Sequence, residues 1–192
     1  MDINLIIVTV YSYFLGSIPF GYILIKIFLK QDIRETGSGN IGATNVLRTG
    51  NKFLAILTLV LDFLKGYMTI IITLKYFNDL ILLSALICLL GHIFSIWLKF
   101  KGGKGVATYL GILLALSVNY FLIFIIVWVS ILLILRYSSL SSILATFGIF
   151  IYEYFFLENN ILSFLFISFI IILYAHRSNI LKLINKTETK FF

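Results

Sequence analysis

The chain has 192 residues, of which 61% are hydrophobic and only 12% are charged. A water-soluble domain of this length does not bury so much apolar side chain, because small globules leave a large part of their surface in water. Long apolar runs with few charges are typical of membrane spans of about 20 residues, so the sequence predicts an all-α integral membrane protein.

The apolar runs and the polar turns between them predict seven spans in one polytopic domain covering residues 1–192. In chain order the spans cover about 3–29, 53–76, 80–98, two spans within 106–135, then 140–157 and 161–175. Pro19, the single proline, is expected to kink the first span. The run 106–135 is too long for one crossing, and the polar turn 117–119 divides it into a short span and a full one. The turn 158–160 separates the last two spans.

The distribution of positive charge supports the count of seven. With seven spans, the 15 Lys and Arg residues lie on one side of the membrane except Lys65, inside a span, and Lys75, on the other side. Positive loops stay in the cytoplasm, so the N-terminus is predicted outside and the C-terminus in the cytoplasm. The net charge of +7 is thereby explained by topology, and no nucleic-acid partner is predicted.

Three glycine-bearing polar segments interrupt the apolar runs, and the topology delivers all three to the cytoplasmic surface. We name them the first polar segment (34–48, RETGSGNIGATNVLR), the glycine loop (99–105, KFKGGKG) and the third polar segment (176–182, HRSNILK). A serine-rich loop, 136–142, is expected at the same surface. Flexible backbone beside Lys and Arg suits an anion such as a phosphate ester.

Each polar segment supplies candidate anion ligands. In the first polar segment, glycines free the backbone, neutral side chains add donors, and an arginine can hold a phosphate bidentately. These residues are Gly37, Ser38, Gly39, Asn40, Gly42, Thr44, Asn45 and Arg48. The glycine loop supplies Lys101, Gly102, Gly103, Lys104 and Gly105, with Lys104 as a point charge on an open backbone before the fourth span. The third polar segment supplies His176, Arg177 and Asn179.

Several kinds of chemistry are disfavoured. Two histidines and one cysteine, Cys88, form no cluster at metal-ligand spacing, and the loops lack paired aspartates. The glycine loop differs from a nucleotide P-loop because Leu98 stands at the earlier glycine position and no Ser or Thr follows the lysine. No metal or other cofactor is predicted. Asp62 and Lys65 share a helix face, which favours an internal ion pair over a catalytic role. His92 is expected to be a packing residue, and the alternative is that it orients the glycine loop.

The polar segments resemble the bacterial acyl-phosphate-dependent glycerol-3-phosphate acyltransferase family (the PlsY family). The matching stretches are 16–21 (GSIPFG), 37–48 (GSGNIGATNVLR), 62–66 (DFLKG), 91–94 (GHIF), 100–108 (FKGGKGVAT), 139–143 (SLSSI) and 176–180 (HRSNI). Three positions depart from the family pattern: Ser95 stands where proline is usual, Lys182 where arginine is usual, and Lys186 where a glycine usually precedes the final acid, Glu188. These departures concern the entry to the glycine loop and the geometry of the tail.

The resemblance implies transfer of a fatty acyl group from acyl phosphate to the 1-hydroxyl of glycerol 3-phosphate. The products are lysophosphatidic acid and phosphate, formed at the cytoplasmic face of the bacterial inner membrane in the first acylation of phospholipid synthesis. Acyl phosphate, glycerol 3-phosphate and the bilayer are the expected partners, and no protein partner is inferred. By carry-over, Ser38, Asn45 and Arg48 bind the acyl phosphate. Ser139 joins the substrate-binding set, and Lys104, Ser142, His176 and Asn179 serve glycerol 3-phosphate and the developing charge.

Two questions remain open from the sequence. The base is either His176 or a substrate phosphate, and the second is favoured because no carboxylate is placed to orient His176 among cationic neighbours. The function classes that compete with an enzyme are a transporter of phosphorylated metabolites and a scaffold that binds anionic lipid. A transporter needs polar residues at mid-membrane, where only Asp62 and Lys65 are predicted, and a scaffold leaves the glycines and asparagines unexplained.

Overall fold

The computed structural model describes residues 2–156 and 161–192, and this part of the chain is α-helical with short 3₁₀ turns. The helices are α1 (Ile3–Ser17), α2 (Phe20–Phe28), α3 (Ala43–Leu47), α4 (Lys52–Tyr76), α5 (Ile81–Ile93), α6 (Val106–Leu116), α7 (Val118–Leu135), α8 (Ser138–Phe156), α9 (Leu162–Ala175) and α10 (Arg177–Ile184). The 3₁₀ turns are Ile33–Glu35, Asn78–Leu80 and Ile96–Leu98. The predicted turn 158–160 and the end of the sixth span at 157 lie outside the described residues.

Five helical stretches of the described chain are long and apolar enough to cross a membrane. They are Ile3–Phe28, Lys52–Tyr76, Asn78–Leu98, Val118–Leu135 and Ser138–Phe156. The pair α9 and α10, bent by 62°, makes a sixth if it is counted as one span, and α6 is a shorter apolar helix. The all-helical prediction is confirmed with five or six candidate spans, and a count of seven stays a prediction.

The local signals for helix ends are confirmed. α1 ends at Ser17 and α2 begins at Phe20, so the helix is interrupted at Pro19 as predicted. The predicted turn at 117–119 is a helix boundary, where the Ser117 side chain caps α7 by accepting the N–H of Asn119 at 3.2 Å. A serine hydroxyl at this position satisfies one of the backbone donors that a helix start leaves unpaired.

Two segments that the sequence predicts as loops are helical. The prediction of a serine-rich loop is wrong from residue 138 onward, because α8 begins there. The third polar segment forms α10 from Arg177 onward. Arg136 ends α7 in a left-handed conformation with φ of 64°. The hydroxyl of Ser142 donates to the Ser138 carbonyl at 2.9 Å, so it is satisfied inside the helix.

The chain forms two compact units, one extending to Ala115 and the other beginning at Leu116. In the first unit, α1 packs against α5, and α4 contacts α1, α2, α3 and α5. Backbones approach closely at glycines: a Cβ on Gly16 would lie 2.1 Å from the Cys88 carbonyl oxygen. A Cβ on Gly66 would lie 2.2 Å from the carbonyl oxygen of Thr108. Helices that pack through small residues in this way are typical of membrane proteins.

In the second unit, α8 packs against both α7 and α9. One pair of buried polar side chains joins α7 to α8: the Tyr120 hydroxyl donates to the Glu153 carboxylate at 2.6 Å. The C-terminal tail returns to the start of α8, where the Phe191 N–H donates to the Arg136 carbonyl at 2.7 Å. This contact fixes the tail beside residues 136–142, which the sequence predicts as a serine-rich loop.

Candidate functional site

Asn45 is the centre of the first polar segment. Its side chain is 2% exposed, and its amide nitrogen donates to the carbonyls of Ile33, Thr36 and Asn40 at 3.2, 3.0 and 2.7 Å. Its amide oxygen accepts the N–H of Ser38 at 2.8 Å. In this structure both ends of the amide are engaged by the backbone of the loop, so Asn45 holds the loop in shape rather than presenting its amide to solvent.

Glycine is required at residue 37 of this loop. Gly37 has a φ of +56°, and a Cβ there would lie 2.4 Å from the Asn45 side-chain oxygen and 3.2 Å from Cδ of Arg48. The stem of the exposed Arg48 therefore passes close to the loop. Gly39 also has a positive φ, of +73°. At these two positions the backbone adopts conformations that other residues rarely take.

Gly42, unlike Gly37 and Gly39, does not have a positive φ. Its φ is −76°, which any residue adopts, and it precedes the first residue of α3. Its N–H is already bonded to the side-chain oxygen of Asn40 at 3.1 Å. Its N–H is therefore engaged within the loop, and an anion contact at Gly42 stays a prediction. Thr44 is an exposed residue of α3.

Arg34, at the start of the segment, already has its charge paired. Its guanidinium donates to the Asp32 carboxylate at 2.9 Å and lies 5.0 Å above the ring of Tyr22. The side-chain hydrogen bond from Arg34 lowers the pKa of Asp32 to about 2. A carboxylate that is bonded in its charged form loses its proton more readily. The contact of Arg34 with the Tyr22 ring attaches the segment to α2.

The glycine loop packs directly on the end of α5. The N–H groups of Gly102 and Gly103 donate to the carbonyls of Ile93 and His92 at 3.0 and 3.1 Å. A Cβ on Gly102 would lie 2.1 Å from the His92 carbonyl oxygen, and one on Gly103 would lie 2.2 Å from His92 Nε2. The prediction of an open backbone is therefore wrong for Gly102 and Gly103, because these glycines permit close contact between the loop and the end of α5. Lys104 itself is half-buried and lies two positions before α6 begins.

A buried polar group lies behind this loop. Lys65 Nζ is 2.8 Å from the Asp62 carboxylate and donates to the Ile18 carbonyl at 2.7 Å. The predicted internal ion pair is confirmed. His92 is 4% exposed, and its Nδ1 lies 3.1 Å from the Thr108 hydroxyl and 3.8 Å from Asp62.

Ser95 fits the place where the family usually has proline. Its φ is −63°, the value that a proline ring imposes. Its hydroxyl donates to the Ser17 carbonyl at 2.6 Å, and the Trp97 indole donates to the Ser17 hydroxyl at 2.9 Å. The departure from the family pattern therefore leaves a backbone that proline would also accept.

In the second unit, Glu188 joins two of the predicted site residues. Its carboxylate accepts the Ser139 hydroxyl at 2.9 Å and the Asn179 amide at 2.6 Å. Since the carboxylate accepts, the amide nitrogen of Asn179 must face it, and among the described residues its side-chain oxygen has no hydrogen-bond partner. Glu188 is a site residue that the sequence does not predict, although an acid within a basic tail is a signal. Lys186 takes a φ of 56°, which explains why glycine is usual there.

His176 lies at the junction of α9 and α10 and is 1% exposed. Its Nδ1 donates to the Ile172 carbonyl at 2.8 Å, so in the neutral ring Nε2 carries the lone pair. Ser142 accepts the Trp128 indole N–H at 3.0 Å while donating within its own helix, so both of its hydrogen-bonding roles are in use. Arg177 is exposed, with its guanidinium 4.5 Å from the Tyr174 ring.

The predicted site residues thus form two sets, one in each compact unit. The first unit contains the loop around Asn45 with Ser38 and Arg48, and the glycine loop with Lys101 and Lys104. The second unit contains Ser139, Ser142, His176 and Asn179, two of which meet at Glu188.

The chain is similar to known proteins over nearly its whole length. A family model described as Glycerol-3-phosphate acyltransferase matches residues 6–186. A glycerol-3-phosphate acyltransferase of Pelagibacter ubique (strain HTCC1062) is 52% identical over 185 residues, covering 96% of each chain. One of Wolbachia pipientis wMel is 49% identical over 189 residues, covering 97% of each.

Two crystal structures of PlsY (YgiH), an integral membrane glycerol 3-phosphate acyltransferase, are similar in fold and sequence. The glycerol 3-phosphate form has a TM-score of 0.91 and 38% identity, covering 98% of this chain and 96% of that one. The lysophosphatidic acid form has a TM-score of 0.87 and 38% identity, covering 97% and 95%. The predicted family resemblance is confirmed.

We expect Asn45→Ala to lower the free energy of unfolding by at least about 2 kcal/mol, because it leaves several buried backbone groups without partners. Thermal melting of the purified protein in detergent measures the effect. Thr44→Ala, at the exposed neighbouring residue, is the matched control and should melt like the unsubstituted protein. Equal melting temperatures for the two variants would contradict the central role of Asn45 in the loop.

Proposed function

The chain belongs to the glycerol-3-phosphate acyltransferase family, and from this premise we propose that its acyl donor is acyl phosphate. The acyl group passes to the 1-hydroxyl of glycerol 3-phosphate, and the products are lysophosphatidic acid and phosphate. The solved relative has a glycerol 3-phosphate form and a lysophosphatidic acid form, which match the acceptor and the product of this reaction.

The observation that carries the proposal is Lys104 on a loop packed against α5 at the start of α6. Its neighbours Gly103 and Gly105 have no side chains that could shield an anion, and the α6 N-terminus adds a favourable dipole. Both substrates carry phosphate groups with about two negative charges each near neutral pH. Cations at Arg48, Lys101 and Lys104 would offset their mutual repulsion and hold them in register.

The acyl phosphate is a mixed anhydride, and its phosphate is already a good leaving group. Attack by the glycerol hydroxyl on the acyl carbon forms the ester bond and breaks the bond to phosphate. The enzyme therefore needs no covalent nucleophile, and we propose a reaction without a metal ion. Positioning of two reactants alone supplies about 7–11 kcal/mol in favourable cases.

In the first unit, we propose that Ser38 and Arg48 bind the phosphate of the donor. Asn45 contributes by holding the loop that carries both, as its bonds to the backbone indicate. The remaining proposed contacts of this unit are Gly37, Gly39, Asn40, Thr44, Lys101 and Gly105.

In the second unit, we propose that Asn179 binds glycerol 3-phosphate. Glu188 holds its amide nitrogen, and the side-chain oxygen, which lacks a partner among the described residues, would accept a glycerol hydroxyl. His176 and Ser142 are the other proposed acceptor contacts of this unit, with Ser139 and Arg177 at their periphery. A substrate phosphate takes the hydroxyl proton, and His176 orients the acceptor.

An apolar cavity in the first unit suits the acyl chain of the donor. It has a volume of about 350 Å³ and is lined by Ile18, Pro19, Tyr22, Ile23, Trp97 and Leu98. Tyr22 contacts Arg34 of the first polar segment, and Leu98 directly precedes the glycine loop. A chain in this cavity would therefore have its phosphate end near the cationic segments of the same unit.

We propose seven crossings, with α6 as the short fourth span, the N-terminus outside and the C-terminus in the cytoplasm of a bacterial cell. α6 has 11 residues, which corresponds to about 16 Å and is shorter than the hydrocarbon core of about 30 Å. The support is the positive charge of the loops that this topology assigns to the cytoplasm.

We expect purified protein to release phosphate from acyl phosphate only when glycerol 3-phosphate is added, and Lys104→Gln to slow this release ten- to a hundredfold. Loss of one charge-assisted hydrogen bond of about 1.5–3 kcal/mol accounts for that range. Lys99→Gln, at an exposed lysine of the same loop, should stay within twofold of the unsubstituted enzyme. Equal losses in both variants, or release independent of glycerol 3-phosphate, would contradict the proposal.

We expect His176→Asn to keep more than a tenth of the turnover. The asparagine amide reaches the position of Nδ1 and preserves the donor to Ile172, while the Nε2 lone pair is removed. Steady-state kinetics at saturating concentrations of both substrates gives the answer. A fall of a thousandfold in kcat with unchanged KM would show that His176 is the base and would refute a substrate phosphate in that role.

We expect Ile23→Phe to reduce kcat/KM for palmitoyl phosphate relative to octanoyl phosphate by fivefold or more. The larger ring fills part of the cavity, and each methylene that is excluded loses about 0.8 kcal/mol. Ile27→Phe, at an exposed residue one turn further along α2, is the control and should leave the ratio unchanged. A ratio that is the same in all three proteins would rule out this cavity as the acyl site.

A further inference from the structure

A buried polar network behind the glycine loop lies outside the proposed substrate contacts. Its members are Asp62, Lys65, His92 and Thr108, exposed by 2%, 6%, 4% and 0%. Asp62 and Lys65 belong to α4, His92 to the end of α5, and Thr108 to the first turn of α6. The network therefore connects three helices next to the glycine loop.

The network is not explained by stability. Removing two charges from water costs several kcal/mol per ion, and a buried ion pair is often no more stable than apolar residues of the same size. Lys65 also donates to the Ile18 carbonyl, at the break between α1 and α2, where the helix leaves that oxygen without its normal partner. The pair thus has a defined geometry, with contacts on two sides.

His92 connects this pair to the glycine loop. Its Nδ1 is 3.8 Å from the Asp62 carboxylate and 3.1 Å from the Thr108 hydroxyl. Its carbonyl accepts the N–H of Gly103 at 3.1 Å, and its ring lies so close to Gly103 that a Cβ there would be 2.2 Å from Nε2. A rotation of the ring would therefore displace the loop backbone or open a gap beneath it.

Lys104 is bracketed by these contacts. Gly103, the residue before it, rests on the His92 carbonyl and ring, and Thr108, four residues after it, bonds to the same ring. Both ends of the short segment that carries the ammonium group therefore contact His92, one through its backbone carbonyl and ring surface and the other through Nδ1. Small displacements of a substrate-binding cation reduce its interaction with a phosphate appreciably.

We propose that His92 is a positioning residue for Lys104, held in its orientation by Thr108 and by the Asp62–Lys65 ion pair. The inference rests on the proposed function in so far as Lys104 binds the phosphate of glycerol 3-phosphate. The network touches no substrate and acts through the loop.

Thr108→Val tests the proposal with little disturbance of packing, because valine keeps the shape of threonine and removes the hydroxyl. We expect KM for glycerol 3-phosphate to rise at least fivefold and KM for acyl phosphate to stay within twofold. Thr108→Ser, which keeps the hydroxyl, should restore KM. The matched control is Thr58→Val, a buried threonine of α4 whose hydroxyl donates to the Leu54 carbonyl outside the network.

A double substitution, Asp62→Asn with Lys65→Met, tests the ion pair without leaving one charge buried and unpaired. We expect its melting temperature to lie within a few degrees of the unsubstituted enzyme while KM for glycerol 3-phosphate rises at least fivefold. An unchanged KM in this variant or in Thr108→Val, or an equal rise in Thr58→Val, overturns the proposal.

A spin label on residue 104 separates this inference from the proposed function. In a Cys88→Ala background, a label on Lys104→Cys should be more mobile when Thr108→Val is added and unchanged when Thr58→Val is added. This readout needs no catalysis, so it holds even if the unsubstituted enzyme releases no phosphate, a result that would refute the proposed function alone. Equal label mobility in the two variants refutes the positioning role.

Discussion

Close contact between backbones at glycine is the constraint on which the first unit depends. A Cβ at Gly111 would lie 2.0 Å from the Phe63 carbonyl oxygen, and the same limit applies to Gly16 against α5 and Gly66 against α6. In a chain with so much apolar surface, hydrophobicity does not distinguish one helix pairing from another inside a membrane. Close approach at small residues does, because it sets which helices fit together and at what height.

The same device places the cationic loop. Gly102 and Gly103 lie on the His92 carbonyl and ring as closely as the helices lie on one another, and their N–H groups are bonded to α5. The loop is therefore an extension of helix packing into a polar turn. Polar side chains do the corresponding work elsewhere: Asn45 closes the first polar segment, and Glu188 joins Asn179 to Ser139. The proposal assigns none of Asn45, His92 and Glu188 to substrate.

How far the sequence predicts this architecture depends on the range of the signal. The break at Pro19 and the turn at 117–119 are local signals, since a missing N–H or a hydroxyl acts on its own turn, and both predictions are confirmed. The ion pair of Asp62 and Lys65 follows from helical spacing and is also confirmed. The helical start of α8 was missed because serine favours turns unless its hydroxyl bonds back to its own helix.

Long-range contacts were beyond the sequence. Asn45 reaches back to the carbonyl of Ile33, and Glu188 reaches Ser139 from the other end of its unit, so neither pairing has a signature in local spacing. Gly102 was misread for a different reason. The absence of a side chain permits both flexibility and close packing, and only the neighbouring His92 shows which of the two applies.

The identity of the acyl donor is the most direct test of the account. Purified enzyme would be given labelled glycerol 3-phosphate and, in parallel, palmitoyl phosphate, palmitoyl-CoA or palmitoyl acyl carrier protein, with a metal chelator present. The account predicts labelled lysophosphatidic acid from palmitoyl phosphate alone. Product from either thioester without any from the phosphate, or a requirement for added metal, would contradict it.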